Sequence, residues 1–92
     1  MNEYRIFETD NFLKNFDKIK GKNKTIIENK LSLKIYPQLK IQPHFGNNIK
    51  KLKNFIPETW RYRIGNFRLF YEINDNERIV YIIGISTRQN AY

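Results

Sequence analysis

The stretch Trp60–Tyr71, which reads WRYRIGNFRLFY, constrains the fold of this chain more than any other. Apolar and cationic residues alternate on both sides of Gly65-Asn66, and a two-residue loop that starts with Gly is typical of a type II′ β-hairpin. In the register set by that loop Arg63 lies opposite Arg68, and directly opposed residues share a face of the sheet. The pattern therefore predicts a hairpin with one apolar face and one cationic face.

The apolar face of this hairpin is expected to form part of the core. Its members are Trp60, Tyr62, Ile64, Phe67, Leu69 and Tyr71. The opposite face, which we call the arginine face, carries Arg61, Arg63 and Arg68. Like charges placed directly across from each other destabilise a sheet, so this arrangement gives a folded domain no advantage by itself. We therefore expect an anion to bind there.

Charge indicates the class of partner. The 92-residue chain carries 17 Lys and Arg against 9 Asp and Glu, for a formal net charge of +8. All arginines but one lie between Arg61 and Arg88, and the planar guanidinium fork of Arg suits phosphate. A polyanionic partner is indicated, with nucleic acid as the first candidate. For most of the lysines, taken singly, an ordinary solvated surface is an equally good interpretation.

Length and composition favour one domain, over residues 1–92, with a modest core. The chain has no cysteine, which excludes disulfides and thiolate chemistry and favours a cytoplasmic protein. It has no run of about 18 apolar residues and no signal-peptide pattern, so neither a membrane span nor export is expected.

The N-terminal half is predicted to contain a helical hairpin. The first helix is expected to start at a capping residue, Thr9 or Asp10, and to end at Gly21. A second helix is predicted over about residues 23–36, where Pro37 stops it. The residues that recur at helical spacing are Phe12, Leu13, Phe16 and Ile19 in the first helix and Ile27, Leu31 and Ile35 in the second.

A short strand is predicted before this hairpin, at residues 4–7, and a long loop after it, at residues 38–58. The loop includes a short strand or turn around residues 49–52. His44 lies in the loop between Pro and Phe, and we interpret it as a surface residue rather than a catalytic one. The basic run in the same loop is expected to contact RNA phosphates: Lys50, Lys51 and Lys53.

A third strand is predicted after the turn at residues 75–77, in a register that pairs Ile73 with Ile79. Continuing this register pairs Arg68 with Gly84, where the missing side chain leaves space for a backbone or a ligand to approach. It also places further residues on the arginine face: Phe70, Val80, Ile82, Ser86 and Arg88. The result is a two-layer α+β domain of order β-α-α-β-β-β, with the helices on the apolar face of a three-stranded meander.

Metal-free cleavage of RNA is one activity that the arginine face could support. The sequence has no metal-ligand motif, paired-carboxylate motif or Gly-rich phosphate loop, so no metal or cofactor is expected. Cations must stabilise the charge on the phosphorane oxygens, and Arg63 and Arg68 fit that role. Tyr92 is a candidate for proton transfer and Arg88 for charge stabilisation. Binding an acidic protein or intact nucleic acid, without chemistry, is the open alternative.

The segments KKLKN, WRYRIGNFRLFYEI and RIVYIIGISTRQNAY together resemble the RelE/ParE superfamily of toxins from bacterial type II toxin–antitoxin systems. The shared pattern is a basic LK segment, an aromatic and basic strand, a turn glycine before aromatic-Arg-apolar-apolar-Tyr, and a C-terminal Arg…Tyr. The resemblance covers most of the chain and is strongest from Lys51 to Tyr92. It implies a RelE-like fold.

In the ribonuclease branch of that superfamily, the toxin enters the ribosomal A site and cuts mRNA, which leaves a 2′,3′-cyclic phosphate and inhibits translation. The resemblance assigns phosphate stabilisation to Arg68 and Arg88. It assigns base positioning or proton transfer to Tyr92. Arg61 and Arg63 stand where the family often has lysine, and the general base is therefore not identified.

The resemblance also implies a partner, because a free toxin of this kind needs neutralising. The expected antitoxin is an acidic or amphipathic segment that covers the basic face in a hetero-oligomer. Its expected apolar anchors are Phe70, Val80 and Ile82. The other branch of the superfamily inhibits DNA gyrase by binding without hydrolysis, which is the alternative function. A third interpretation is an inactive relative that only binds a partner.

Overall fold

The computed structural model describes residues 3–87, which form five strands in one sheet with helices on one side. The elements in chain order are β1 (Arg5–Glu8), α1 (Asp10–Asp17), α2 (Gly21–Lys30), a π-helical turn (Leu31–Ile35), α3 (Tyr36–Ile41), β2 (Ile49–Lys51), β3 (Trp60–Ile64), β4 (Phe67–Asn74) and β5 (Ile79–Thr87). The strand order is β1-β5-β4-β3-β2. Only the β1–β5 pair is parallel, and the predicted α+β class is confirmed. No helix within residues 3–87 is long and apolar enough to cross a membrane.

Thr9 caps α1, as predicted. Its Oγ1 accepts a hydrogen bond from the Phe12 backbone N–H at 3.3 Å and donates one to the Ile82 carbonyl at 2.8 Å. The predicted end of this helix at Gly21 is wrong, because α1 already ends at Asp17. Gly21 instead begins α2 at φ 67°, a left-handed conformation that glycine adopts without steric cost.

The predicted stop at Pro37 is also wrong, because helical structure continues through α3 to Ile41. The Tyr36 N–H bonds to the Leu31 carbonyl, five residues back, so the turn before the proline is widened to π geometry. A proline ring normally clashes with the carbonyl four residues earlier, and a widened turn relieves that clash. The predicted core residues of this helix are buried: Ile27, Leu31 and Ile35.

The β3–β4 hairpin has the predicted register throughout, from Ile64 opposite Phe67 to Trp60 opposite Tyr71. Gly65 in its loop has φ 55°. The expected core face packs against the helices, with Trp60 and Phe67 half-buried at its two ends and the others fully buried: Tyr62, Ile64, Leu69 and Tyr71. The short strand predicted near residues 49–52 is present as β2, at the edge of the sheet beside β3.

The predicted β4–β5 register is wrong. The loop has four residues rather than three, so Asn74 lies opposite Ile79 and Ile73 opposite Val80. The loop is held by the Asn74 Oδ1, which accepts from the Glu77 N–H at 2.9 Å. A slip of one residue moves every side chain to the other face of a sheet.

A β-bulge between Phe70 and Tyr71 then shifts the register again, so that Phe70 lies opposite Gly84 and Arg68 opposite Ser86. The one-residue slip at the turn, before the bulge, makes Val80 and Ile82 face the helices, where both are fully buried, and their predicted place on the arginine face is wrong. Phe70 is on the arginine face but is 2 % exposed. None of the three can be a surface anchor for a partner.

α1 continues the edge of the sheet where β1 stops. β1 pairs with β5 only as far as Glu8 opposite Ile82. Beyond that point the Asn11 Nδ2 donates to the Ile83 carbonyl at 2.6 Å, and the Asn15 Oδ1 accepts from the Ile85 N–H at 3.2 Å. A Cβ on Gly84 would lie 3.0 Å from the Asn15 Oδ1. The missing side chain of Gly84 thus leaves space for close approach, as predicted, and the segment that approaches is α1. The predicted pairing of Gly84 with Arg68 is wrong, because Gly84 lies opposite Phe70.

Candidate nucleic-acid interface

The arginine face spans four strands. One row across the sheet holds Arg63 on β3, Arg68 on β4 and Ser86 on β5. The next row begins with Lys50 on β2, which lies opposite Arg61 on β3. Alternation along each strand sends these side chains to the same side of the sheet. The structure therefore brings three predicted arginines and one predicted lysine together.

Arg61 is the buried member of this group, with 8 % of its surface exposed. Its Nη1 is buried and has no hydrogen-bond partner among residues 3–87. The pKa of Arg61 is lowered, first by burial and then by the positive charges of Arg63 and Arg68. A buried cation is costly unless an anion or hydrogen-bond acceptor compensates it. Arg61 is thus placed to gain from an anionic ligand.

Acidic side chains do not neutralise the arginine face within the described part of the chain. The ion pairs found there join Lys24 to Asp17, His44 to Asp75 and Lys51 to Glu58. None of them includes Arg61, Arg63 or Arg68. The positive charge of this face is therefore available to a ligand.

The three lysines of the basic run do not lie on the same face of the sheet. Lys51 lies opposite Trp60, so it faces the side away from Lys50. Its Nζ bonds the Glu58 carboxylate at 2.8 Å and lies 5.9 Å from the Trp60 ring centroid. Lys53 is exposed beyond the end of β2. Of the three lysines predicted to contact phosphate, only Lys50 is brought onto the arginine face.

Ser86 is a polar group whose role the sequence did not reveal. Alternation along β5 placed it on the arginine face, but its position opposite Arg68 depends on the bulge. Its Oγ is buried and has no hydrogen-bond partner among the described residues. A hydroxyl can donate to a phosphate oxygen, so Ser86 adds a neutral donor beside the cations.

Arg88 and Tyr92 lie outside the residues that the structure describes. Their assignments to charge stabilisation and proton transfer stay predictions. Within residues 3–87, no group of three or more His, Cys, Asp or Glu side chains could hold a metal ion.

His44 is half-buried in a hydrogen-bonded cluster, in contrast to the expected surface position. Its Nε2 lies 3.1 Å from the Asp75 Oδ1, and the Trp60 ring packs against it edge-on. The Tyr4 hydroxyl also donates to Asp75, at 2.5 Å. That hydrogen bond, followed by the one from His44, lowers the pKa of Asp75 although partial burial opposes the shift. The cluster joins the long loop to the β4–β5 turn, and we assign it a structural role.

The five-stranded sheet with its helical layer is a RelE-like fold. The chain superposes on a crystal structure of the RelBE2 toxin–antitoxin complex from Mycobacterium tuberculosis with a TM-score of 0.72, at 21% identity over 94% of this chain and 99% of that one. For the RelE–RelB complex from Pyrococcus horikoshii the TM-score is 0.71, at 18% identity over 97% and 99%. For the isolated Escherichia coli RelE toxin it is 0.68, at 19% identity over 96% and 87%.

Residues 6–92 match the family described as ParE toxin of type II toxin–antitoxin system, parDE. The chain therefore belongs to this family and is a toxin of a type II toxin–antitoxin system. A comparison with curated proteins found no match.

Proposed function

We propose that this toxin is an endoribonuclease that cleaves mRNA on the ribosome and so inhibits translation in the cytoplasm. The observation that carries the proposal is the buried Arg61 side chain beside Arg63 and Arg68, whose Nη1 has no hydrogen-bond partner among residues 3–87. A toxin that acts only by binding a protein partner does not require a buried cation on the face of its sheet. A phosphodiester whose negative charge increases during reaction does benefit from one.

In the proposed mechanism the arginine face binds the phosphate that is attacked by the neighbouring 2′-hydroxyl. Arg61 is held by the sheet in a site with little water, where its interaction with the phosphorane oxygens is strong and needs little reorganisation. Arg68 lies in the neighbouring row of the sheet and contacts the same phosphate from its other side. Arg88 and Tyr92 complete the site, and Tyr92 transfers a proton between the 2′-hydroxyl and the leaving oxygen. No metal or cofactor enters the proposal.

Primer extension on a reporter mRNA in a translating extract tests this proposal. Wild-type toxin should produce cuts within codons that appear only when ribosomes are translating, and Arg68→Ala should lose them. Lys40→Ala provides a matched control, because Lys40 is an exposed cation on α3 next to Tyr4 and β1, at the edge of the sheet opposite β2. Intact mRNA with wild-type toxin would exclude the nuclease.

The second candidate function is inhibition of DNA gyrase by binding, and the family description is the observation in its favour. The arginine face would then contact an acidic protein surface or the DNA held by gyrase. This function predicts a DNA-damage response without mRNA fragments. Purified toxin should then inhibit supercoiling by gyrase, and Tyr92→Phe should be as active as wild type.

We also propose that a cognate antitoxin binds this toxin in a hetero-oligomer. Two of the similar structures are complexes of a RelE-type toxin with its antitoxin. An acidic segment would neutralise the arginine face, which has no acidic partner of its own within residues 3–87. Its apolar contacts must lie elsewhere than at Phe70, Val80 and Ile82, because these residues are buried.

A further inference from the structure

Three side chains form a row across the sheet on the same side as the arginine face. Glu72 on β4 lies opposite Tyr81 on β5, and Tyr81 also lies opposite Phe7 on β1. Directly opposed residues share a face, and alternation along β4 places Glu72 on the face of Arg68. We call Phe7, Tyr81 and Glu72 the aromatic row. It crosses β4 at a distance of about 13 Å from Arg68.

The two rings of this row present aromatic surface to solvent. Phe7 has 55 % of its surface exposed, and the Tyr81 ring packs against it edge to face, with the ring centroids 5.8 Å apart. RNA-binding domains stack bases on aromatic side chains that an open sheet presents in this way. A lone exposed phenylalanine is ordinary surface, so the groups beside the rings decide what binds.

Glu72 gives the row a hydrogen-bond acceptor. Its side chain is half-buried, and its carboxylate forms no hydrogen bond or ion pair within residues 3–87. A carboxylate offers two acceptor oxygens and no donor. Guanine presents two adjacent donors on its Watson–Crick edge, the N1 imino group and the exocyclic amine, whereas each of the other bases presents one donor group there. The unpaired carboxylate therefore favours guanine.

A cation lies in the next row of the same face. Ile79 on β5 lies opposite Arg5 on β1 and opposite Asn74 on β4. Arg5 is exposed and forms no ion pair within residues 3–87. The aromatic row therefore has Arg68 on one side and Arg5 on the other. A nucleic-acid strand that crosses this row meets a guanidinium group for its phosphates on both sides.

We propose that the aromatic row binds a guanine nucleotide of the RNA, next to the phosphate that lies on the arginine face. The base packs on the rings of Phe7 and Tyr81. Its two donors face the Glu72 carboxylate, and Arg5 contacts the phosphate on the side away from Arg68. This inference rests on the proposed function, because it takes RNA as the ligand, and it goes further by assigning a base to a site outside the arginine face.

Fluorescence anisotropy tests the stacking of the base. The probe is a short labelled oligonucleotide that contains one guanine and is fully 2′-O-methylated, so that it cannot be cleaved. Phe7→Ala should weaken binding at least about fivefold, as expected for the loss of one stacked base. Phe45→Ala is the matched control, because Phe45 is an exposed phenylalanine in the loop before β2, and it should bind as wild type does. Equal affinities of the two variants would overturn the proposal.

Exchange of guanine for hypoxanthine in the same oligonucleotide tests the identity of the base. Hypoxanthine keeps the N1 imino group and lacks the exocyclic amine, so wild type should bind it about fivefold more weakly. Glu72→Gln should bind both oligonucleotides alike, because glutamine offers one acceptor. Glu28→Gln, which changes an exposed carboxylate on α2, should discriminate as wild type does. Full discrimination by Glu72→Gln, or none by wild type, would overturn the guanine site.

Primer extension on a translated reporter identifies the RNA that supplies the guanine. If the mRNA supplies it, Glu72→Gln should change which codons are cut. If ribosomal RNA supplies it, the same codons should be cut with lower efficiency. Cleavage by wild type, with no effect of Phe7→Ala or Glu72→Gln on binding, would overturn the aromatic row and leave the nuclease standing. The predicted binding with intact mRNA would overturn the nuclease alone.

Discussion

Arg63 on β3 and Arg68 on β4 are direct cross-strand neighbours on an open face of the sheet. Their guanidinium groups repel each other, and no carboxylate within the described chain lies between them to relieve the repulsion. The same two charges lower the pKa of the buried Arg61. Binding of an anion to this face should therefore stabilise the toxin.

Arg61→Met should make the protein more stable and less active. It replaces a buried cation, whose Nη1 has no hydrogen-bond partner among residues 3–87, by an apolar side chain of similar volume, which should raise the free energy of unfolding by about 1–3 kcal/mol. Loss of the guanidinium should abolish mRNA cleavage. Urea unfolding and primer extension on the same sample measure both effects. Arg63→Met, at an exposed position in the same strand, should leave stability nearly unchanged. A large destabilisation by Arg61→Met would show that Arg61 has a structural role.

Arg68→Ala should reduce the salt dependence of RNA binding. If Arg68 contacts one phosphate, the slope of log K against log salt for a single strand should become shallower by about 0.7. Anisotropy titrations of a non-cleavable oligonucleotide at several salt concentrations measure the slope. Lys40→Ala carries the same change in net charge at the opposite edge of the sheet. Equal slopes for the two variants would contradict direct phosphate contact by Arg68.

Gly84→Ala should destabilise the domain through α1. The added Cβ would lie 3.0 Å from the Asn15 Oδ1, so this side chain must shift by a few tenths of an ångström, which strains its hydrogen bond to the Ile85 N–H. We expect a loss of about 1–3 kcal/mol. In an Asn15→Ala background the same change should cost much less, since the clashing atom is gone. A double-mutant cycle of unfolding free energies measures this coupling, and simple additivity would refute the contact as the cause.

Tyr71→Phe should alter the stability of the domain at alkaline pH. The Tyr71 hydroxyl donates to the Pro43 carbonyl at 2.7 Å, and burial raises its pKa above the ordinary value of 10.0. A raised folded pKa gives stability that is present below pH 10 and lost as pH rises above it. Tyr71→Phe should cost about 1 kcal/mol at neutral pH.

Urea unfolding of wild type and Tyr71→Phe between pH 8 and pH 11.5 checks this expectation. The difference in stability between the two proteins should shrink as the pH rises above 10. Other ionisations affect both proteins alike and cancel in the comparison. A constant difference over the whole range would mean that Tyr71 does not resist ionisation in the folded state.

Loop length explains which strand pairings the sequence could predict. The two residues Gly65-Asn66 allow only one register for β3 and β4, and every predicted pair is present. The β4–β5 loop contains Arg78 at φ 58°, a left-handed position for which the sequence offers no glycine signal. The turn predicted from the sequence is therefore one residue too short, and this error moves Val80 and Ile82 to the wrong face of the sheet. The bulge beside Phe70 likewise has no local sequence pattern.

The candidate site was predictable where it depends on alternation within one hairpin, as for Arg61, Arg63 and Arg68. It was not predictable where it depends on contacts between distant segments. The Asp75 side chain that holds His44 is 31 residues away along the chain. The burial of Arg61 and the unpaired hydroxyl of Ser86 are likewise properties of the assembled sheet.

The asparagines of α1 affect how copies of the toxin interact with each other at high concentration. Asn11 and Asn15 occupy hydrogen-bonding positions on the edge of β5 that a strand of another molecule would otherwise use. An open strand edge is a template for aggregation, and side chains that cover it prevent such pairing. Two amide groups on a short helix thus act as a substitute strand, which guards the toxin against self-assembly along the part of β5 that β1 does not reach.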